Sequence, residues 1–180
     1  ALNSSLNSSC FGSNDGSLQV AGSGGTPPYS YTWNTGSTSS SLSGLSSGTY
    51  SVIVSDSNGC SASLNASISE PLQLTANVVA TNLTCNSNNS GLASAFVSGG
   101  VPPYNYSWSN GQTLSNNTGL SSGIYYVTIT DFNGCSVVDS AVVTEPTPLV
   151  TSSMFTNVSC FGGTDGEASV SALGGTPGYA

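Results

Sequence analysis

Five cysteines carry most of the reactive side-chain chemistry of this chain, and their spacing is its first regularity. Cys10, Cys85 and Cys160 lie 75 residues apart, and so do Cys60 and Cys135. Thiols at this spacing can close disulfides, and two pairings respect the interval. One closes each copy on itself, Cys10–Cys60 and Cys85–Cys135. The other ties neighbours together, Cys60–Cys85 and Cys135–Cys160. The first is the expectation, because a module of 75 residues buries modest surface and gains from an internal staple. A closed loop of this size contributes ~4 kcal/mol in the chain-entropy model. Reduced structural cysteines are the alternative. Zinc is not expected, since the chain has no His and no Cys-x-x-Cys. Oxidised cysteines imply an extracellular setting.

The remaining chemistry is defined largely by subtraction. The chain has no Lys, Arg or His against eight Asp plus Glu. Its charged fraction is 4%, where ordinary soluble domains carry roughly 25%. Nucleic-acid binding needs cations to displace phosphate counterions, and docking on an anionic membrane needs them too. Neither partner is expected. No run approaches the ~20 apolar residues of a membrane span, so insertion is not expected either. Without His or Lys as a base, or Arg to hold a phosphate or carboxylate, an enzyme is not expected.

Some side chains still qualify as candidates. Asp15, Asp56, Asp131 and Asp165 lie in turn-like contexts and could contribute oxygens to Ca²⁺, which takes six to eight. Turn formation is the commoner use of such Asp residues, and Ser90 replaces the Asp15 equivalent in the second copy. No other cofactor is expected. Trp33, Trp108, Tyr29 and Tyr104 are candidates for stacking on sugar rings. The alternation of each Trp with Tyr two and four residues earlier instead favours a core role for the Trp. Tyr29 and Tyr104, at the outer strand ends, are then the better contacts. Segments 34–48 and 109–123 differ most between copies and are read as polar loops that could carry specificity. Asp139-Ser140-Ala141 marks Ser140 as a candidate O-glycosylation site.

The elements that must position these groups follow from the period. Glu70-Pro71 and Glu145-Pro146 recur at the same interval, as do Gly24-Gly25, Gly99-Gly100 and Gly174-Gly175. A period this strict signals an array of like modules. The third copy stops inside the unit at Ala180, so a longer parent protein is expected. No segment shows sustained helical periodicity, whereas short alternating runs are punctuated by Gly and Pro. Strands are expected over 17–23, 29–33, 50–56 and 60–69, with a leading strand at 76–84 in the next copy. Asn58-Gly59 and Asn133-Gly134 read as hairpin turns with positive φ. The fold expected is all-β: tandem Ig-like β-sandwich modules of 75 residues arranged as a rod. The expected domains are 1–73, 74–148 and an incomplete third repeat, 149–180. Pro71 and Pro146 mark short joints that limit bending.

CFGSNDG, GGTPPYSYTW, LSSGTYSVIVSDSNGC and ISEP in the first copy resemble the SprB repeat of bacterial gliding-motility adhesins. The second copy departs slightly, with CNSNNSG, GGVPPYNYSW, LSSGIYYVTITDFNGC and VTEP, and the third runs from CFGGTDG to GGTPGY. The resemblance implies a very large protein of the bacterial cell surface, exported by type IX secretion and gripping polysaccharide surfaces. The function expected is thus a stalk or adhesive segment of a surface adhesin or filament, with neighbouring repeats and a polysaccharide or cell-surface glycan as partners. The alternatives are a subunit of an extracellular polymer assembled by strand exchange, and carbohydrate-binding accessory modules of a secreted hydrolase.

Overall fold

A computed structural model describes residues 1–176, 178 and 179. Alternating apolar residues in short segments, broken by glycine turns, produce strands throughout. The first repeat contains β1 (Leu2–Leu6), β2 (Gly16–Val20), β3 (Ser30–Trp33), β4 (Ser41–Leu45), β5 (Gly48–Ser55) and β6 (Ser61–Ile68). They form two sheets of three strands, β1-β2-β4 and β3-β5-β6, with every described pairing antiparallel. The order is that of an immunoglobulin-like sandwich, one sheet holding the first, second and fourth strands and the other the third, fifth and sixth. Period-2 alternation directs Leu18, Val20 and Leu45 from one sheet, and Trp33, Val52, Ala66 and Ile68 from the other, into a shared core.

The second repeat builds the same strands: β7 (Thr75–Thr81), β8 (Gly91–Ser98), β9 (Asn105–Trp108), β10 (Asn116–Leu120), β11 (Gly123–Thr130) and β12 (Ser136–Val143). Its sheets run β10-β8-β7 and β12-β11-β9. The third contributes β13 (Val150–Thr156) and β14 (Glu167–Leu173), paired antiparallel. By compactness the chain divides into two units. One joins residues 1–75 with 97–105 and 129–137; the other joins 76–96, 106–128 and 138–180.

Two expectations need correction. Segments 34–48 and 109–123 are not loops throughout, since each contains a strand, β4 or β10, that completes a sheet. Only Leu42 and Leu45 carry the apolar alternation of β4, and Gly44 has φ +69° at its register shift. The pattern is therefore submerged in Ser and Gly. Asn58-Gly59 does not form a turn with two positive φ values: Gly59 has φ +83° whereas Asn58 does not. Gly59 N–H donates to Asp56 O at 3.1 Å, and Asp56 N–H to Cys60 O at 2.9 Å. This is the longer hairpin connection closed by a left-handed glycine.

Tyr50, near the start of β5, donates its hydroxyl to Ser46 O at 2.9 Å, and Tyr125 does the same to Ser121 O at 3.1 Å. That tyrosine corner is a hallmark of the immunoglobulin-like sandwich.

Candidate functional site: the two ends of a repeat

Each sandwich has a cysteine at either end. Cys10 lies in the β1–β2 loop and Cys60 in the β5–β6 turn. The Cys10 loop is bound to the exit of β6. Ser8 N–H donates to Ser69 O at 3.0 Å, Ser69 N–H to Asn7 Oδ1 at 3.0 Å, and Gly12 N–H to Glu70 Oε2 at 2.6 Å. Asp15 fastens the same loop, accepting from Ser9 N–H at 3.0 Å and from the Ser13 hydroxyl at 2.6 Å. These donors, the Ser13 hydroxyl first, hold the Asp15 carboxyl down at about 2. The second repeat copies the arrangement through Asn82, which accepts from Thr144 N–H, and Glu145, which accepts from Ser87 N–H. The Glu of Glu-Pro is thus more than part of a joint: its carboxylate also anchors the cysteine loop, a role that no local sequence pattern marks.

The opposite end is organised by the Asp of the β5–β6 turn. Asp56 accepts from Thr26 N–H at 3.0 Å, Cys60 N–H at 2.9 Å and Asn58 N–H at 3.0 Å. These backbone donors, Thr26 first, hold its carboxyl below the usual range. Asp131 accepts equivalently from Val101 and Cys135. Tyr29 closes the Gly-Gly turn by donating to Gly24 O at 2.6 Å, and Tyr104 by donating to Gly99 O at 2.6 Å.

Eight residues of β6 separate the two ends of the first repeat, roughly 25 Å at strand rise. A disulfide needs Cα atoms within about 7 Å, so the expected Cys10–Cys60 bond does not form. Cys10 instead bonds Cys135, with a Cα–Cα distance of 5.8 Å and a separation of 125 residues. Cys60, Cys85 and Cys160 are exposed free thiols, so neither expected pairing is realised. Around the bond, Ser9 O accepts from Asn133 Nδ2 at 2.7 Å, and Gly100 N–H donates to Leu72 O at 2.8 Å. The late end of one repeat thus meets the connector and cysteine loop of the repeat before it, within one compact unit.

In the first repeat the equivalent surface is an open groove of about 460 Å³, lined among others by Ala1, Val20, Tyr29, Val54, Cys60 and Leu64. The other candidates fall elsewhere. Trp33 and Trp108 are 2% and 3% exposed and donate Nε1–H to Ser39 O and Leu114 O, both at 2.8 Å. They are core residues, unavailable for stacking on a sugar. Tyr29 and Tyr104 are half-buried, with their hydroxyls engaged as above. Asp15, Asp56, Asp131 and Asp165 are not brought together: among the described residues no three metal-ligating side chains cluster. Asp165 instead takes the Ser159 hydroxyl and backbone N–H, which lower its carboxyl below the usual range. Ser140 is exposed on β12. In the variable segment Asn117, fully buried, exchanges side-chain hydrogen bonds of 3.0 and 3.1 Å with Asn110. Among the described residues no helix is long and apolar enough to cross a membrane.

Comparison with known proteins adds three findings. The SprB repeat family model matches at residues 2–38, 77–113 and 152–180. Among curated proteins, none matches. The solved structure of an amphioxus IgVJ-C2 molecule aligns at 13% identity and TM-score 0.34, over 71% of this chain and 94% of that one.

Proposed function

Because the chain belongs to the SprB-repeat family, we propose that it is a non-enzymatic segment of a large bacterial cell-surface adhesin or surface filament. It serves as a covalently reinforced stalk that presents weak, repeated contacts to polysaccharide, in the service of attachment and gliding. The observation that carries the reading is the use made of the repeated motifs. The Cys10 loop, the connector after Glu70, the Gly99-Gly100 turn and the Cys135 turn all hold one repeat to the next. Residues engaged in this way build an array. Tension entering the chain is shared between the backbone connector and the disulfide. What remains free to differ is the loop after each Trp, 34–40 and 109–115, on a constant scaffold. Weak contacts there would multiply along an array.

The test is binding of the folded chain to a panel of bacterial, plant and algal polysaccharides. A variant with 34–40 and 109–115 replaced by Gly and Ser, leaving β4 and β10 intact, serves as control. Glycan binding that the variant loses supports an adhesive array. Binding to none of the panel reduces the reading to a stalk alone.

A further inference from the structure

We propose that the open loop end of the first repeat is a docking socket for another repeat of the same kind, and that Cys60 there forms a disulfide with that repeat's counterpart of Cys10. The same rule pairs Cys85 with the late cysteine of a following repeat. The array is then a ladder in which every repeat is bonded to both neighbours.

The chain contains the socket in both forms. In the second repeat it is covered. Ile129 is 0% and Asp131 2% exposed, and Cys135 is bonded to Cys10. Gly99 and Gly100 lie under the connector, such that a Cβ on Gly99 would strike Gln73 O and one on Gly100 would meet Leu74 Cδ1. In the first repeat the equivalents of these residues are Val54, Asp56, Cys60, Gly24 and Gly25, and all are half-buried or exposed. A Cβ on Gly24 would meet nothing within 4 Å. Asn58 Nδ2 turns to its own Thr26 Oγ1, whereas Asn133 Nδ2 reaches Ser9 O of the preceding repeat. The backbone of the two turns is the same: Ser57 N–H donates to Thr26 O at 2.9 Å, and Phe132 N–H to Val101 O at 2.8 Å. The socket is therefore formed before it is filled.

A second instance of the joint supports the rule independently of the disulfide. Gly175 N–H donates to Thr147 O at 2.7 Å, as Gly100 does to Leu72, and Thr176 Oγ1 donates to Thr84 O at 3.3 Å beside Cys85. A Cβ on Gly174 would strike Pro148 O, as one on Gly99 would strike Gln73. The third repeat thus begins the same joint at Cys85. By the period its own late cysteine would fall beyond Ala180.

A like repeat is the occupant because the groove complements a Leu-bearing connector and a cysteine loop. The chain itself supplies both to the equivalent surface one period on. Bond formation takes two thiols to one disulfide, releasing two protons and two electrons to an exchanging disulfide oxidant, which becomes two thiols. Glutathione disulfide fills that role in vitro.

The proposal concerns how repeats join and stands apart from glycan binding. To test it, the full chain is lengthened by an additional copy of residues 1–75 ahead of Ala1, in register, with Cys60→Ser and, as a mass label beside Cys10 at the exposed Phe11, Phe11→Tyr in the added copy. After refolding in a glutathione redox buffer, free thiols are alkylated and unreduced peptides are mapped with a protease other than trypsin. The expected result is loss of alkylation at the original Cys60, with its peptide linked to the Cys10 peptide of the added copy; linkage to the original Cys10 overturns the proposal. The Cys10–Cys135 bond in the same molecule reports correct folding. An original Cys60 that remains alkylated while Cys10–Cys135 forms overturns the proposal, and so does a molecule forming neither bond.

Discussion

The two loop ends of this chain have the same backbone and different surroundings. The end bearing Cys60 faces outward, with Asp56 and Val54 partly exposed and the thiol free. The end bearing Cys135 is roofed by residues 72–74 and bonded to Cys10. Both keep the Asp-centred turn and the Tyr–Gly bond, at nearly identical distances. The comparison teaches that the turn chemistry builds the surface, while burial of that surface is supplied by the neighbouring repeat. An array assembled this way can share one set of motifs between folding each module and joining it to the next.

The sharpest way to break this comparison is to remove a cysteine. Cys135→Ser opens a loop spanning 125 residues, for which the chain-entropy model gives up to ~5 kcal/mol. Urea unfolding under non-oxidising conditions should show a loss of that order, whereas Cys60→Ser should leave the transition unchanged. Equal effects at the two positions would mean that the ends are not distinguished in the way described.

The cores, by contrast, should respond alike. Trp33→Ala and Trp108→Ala each empty a buried indole site and should cost about 3–5 kcal/mol, read from the same unfolding curves. A large disparity would place the difference between the repeats in their cores and not at their ends. A finer probe is glycine replacement. Gly24→Ala and Gly99→Ala both impose a side chain on positive φ, a strain of about 1–2 kcal/mol. Gly99→Ala must also displace Gln73 and should be the more destabilising. Identical melting shifts would show that the connector is not seated.

The smallest effect should be on acid stability. The carboxyls of Asp15, Asp56 and Asp165 are all held below their ordinary value, that of Asp15 at about 2. A carboxylate with a depressed native pKa stabilises the fold above its unfolded pKa near 4. That contribution is lost as the pH falls from about 4 toward 2. Asp15→Asn should flatten the stability profile over that interval, and an unchanged slope there would contradict the hydrogen-bonding pattern of the Cys10 loop.

Much of the module was legible in the sequence. Tyr-x-Tyr-x-Trp and Tyr-x-Val-x-Val announce strands whose buried side is plain, and the invariant period shows that one sandwich is built repeatedly. The fourth strand was obscured because Ser41, Ser43 and Gly44 dilute its two leucines. The disulfide was obscured for another reason. Any cysteine spacing within a periodic chain fits several registers, and the early cysteine of one repeat meeting the late cysteine of the next fits as well as those closing a single repeat. Only the length of β6, which keeps Cys10 and Cys60 at opposite ends, decides against the latter. The role of Glu70 and Glu145 was hidden similarly, because a carboxylate gripping a backbone N–H dozens of residues away leaves no local pattern.

The most direct test of the account is the disulfide map of the purified, unreduced chain. Alkylation followed by non-tryptic digestion should recover a Cys10–Cys135 peptide pair, with Cys60, Cys85 and Cys160 carrying the label. Recovery of Cys10 bonded to Cys60 and Cys85 to Cys135 would close each repeat on itself and contradict the covalent joint between them.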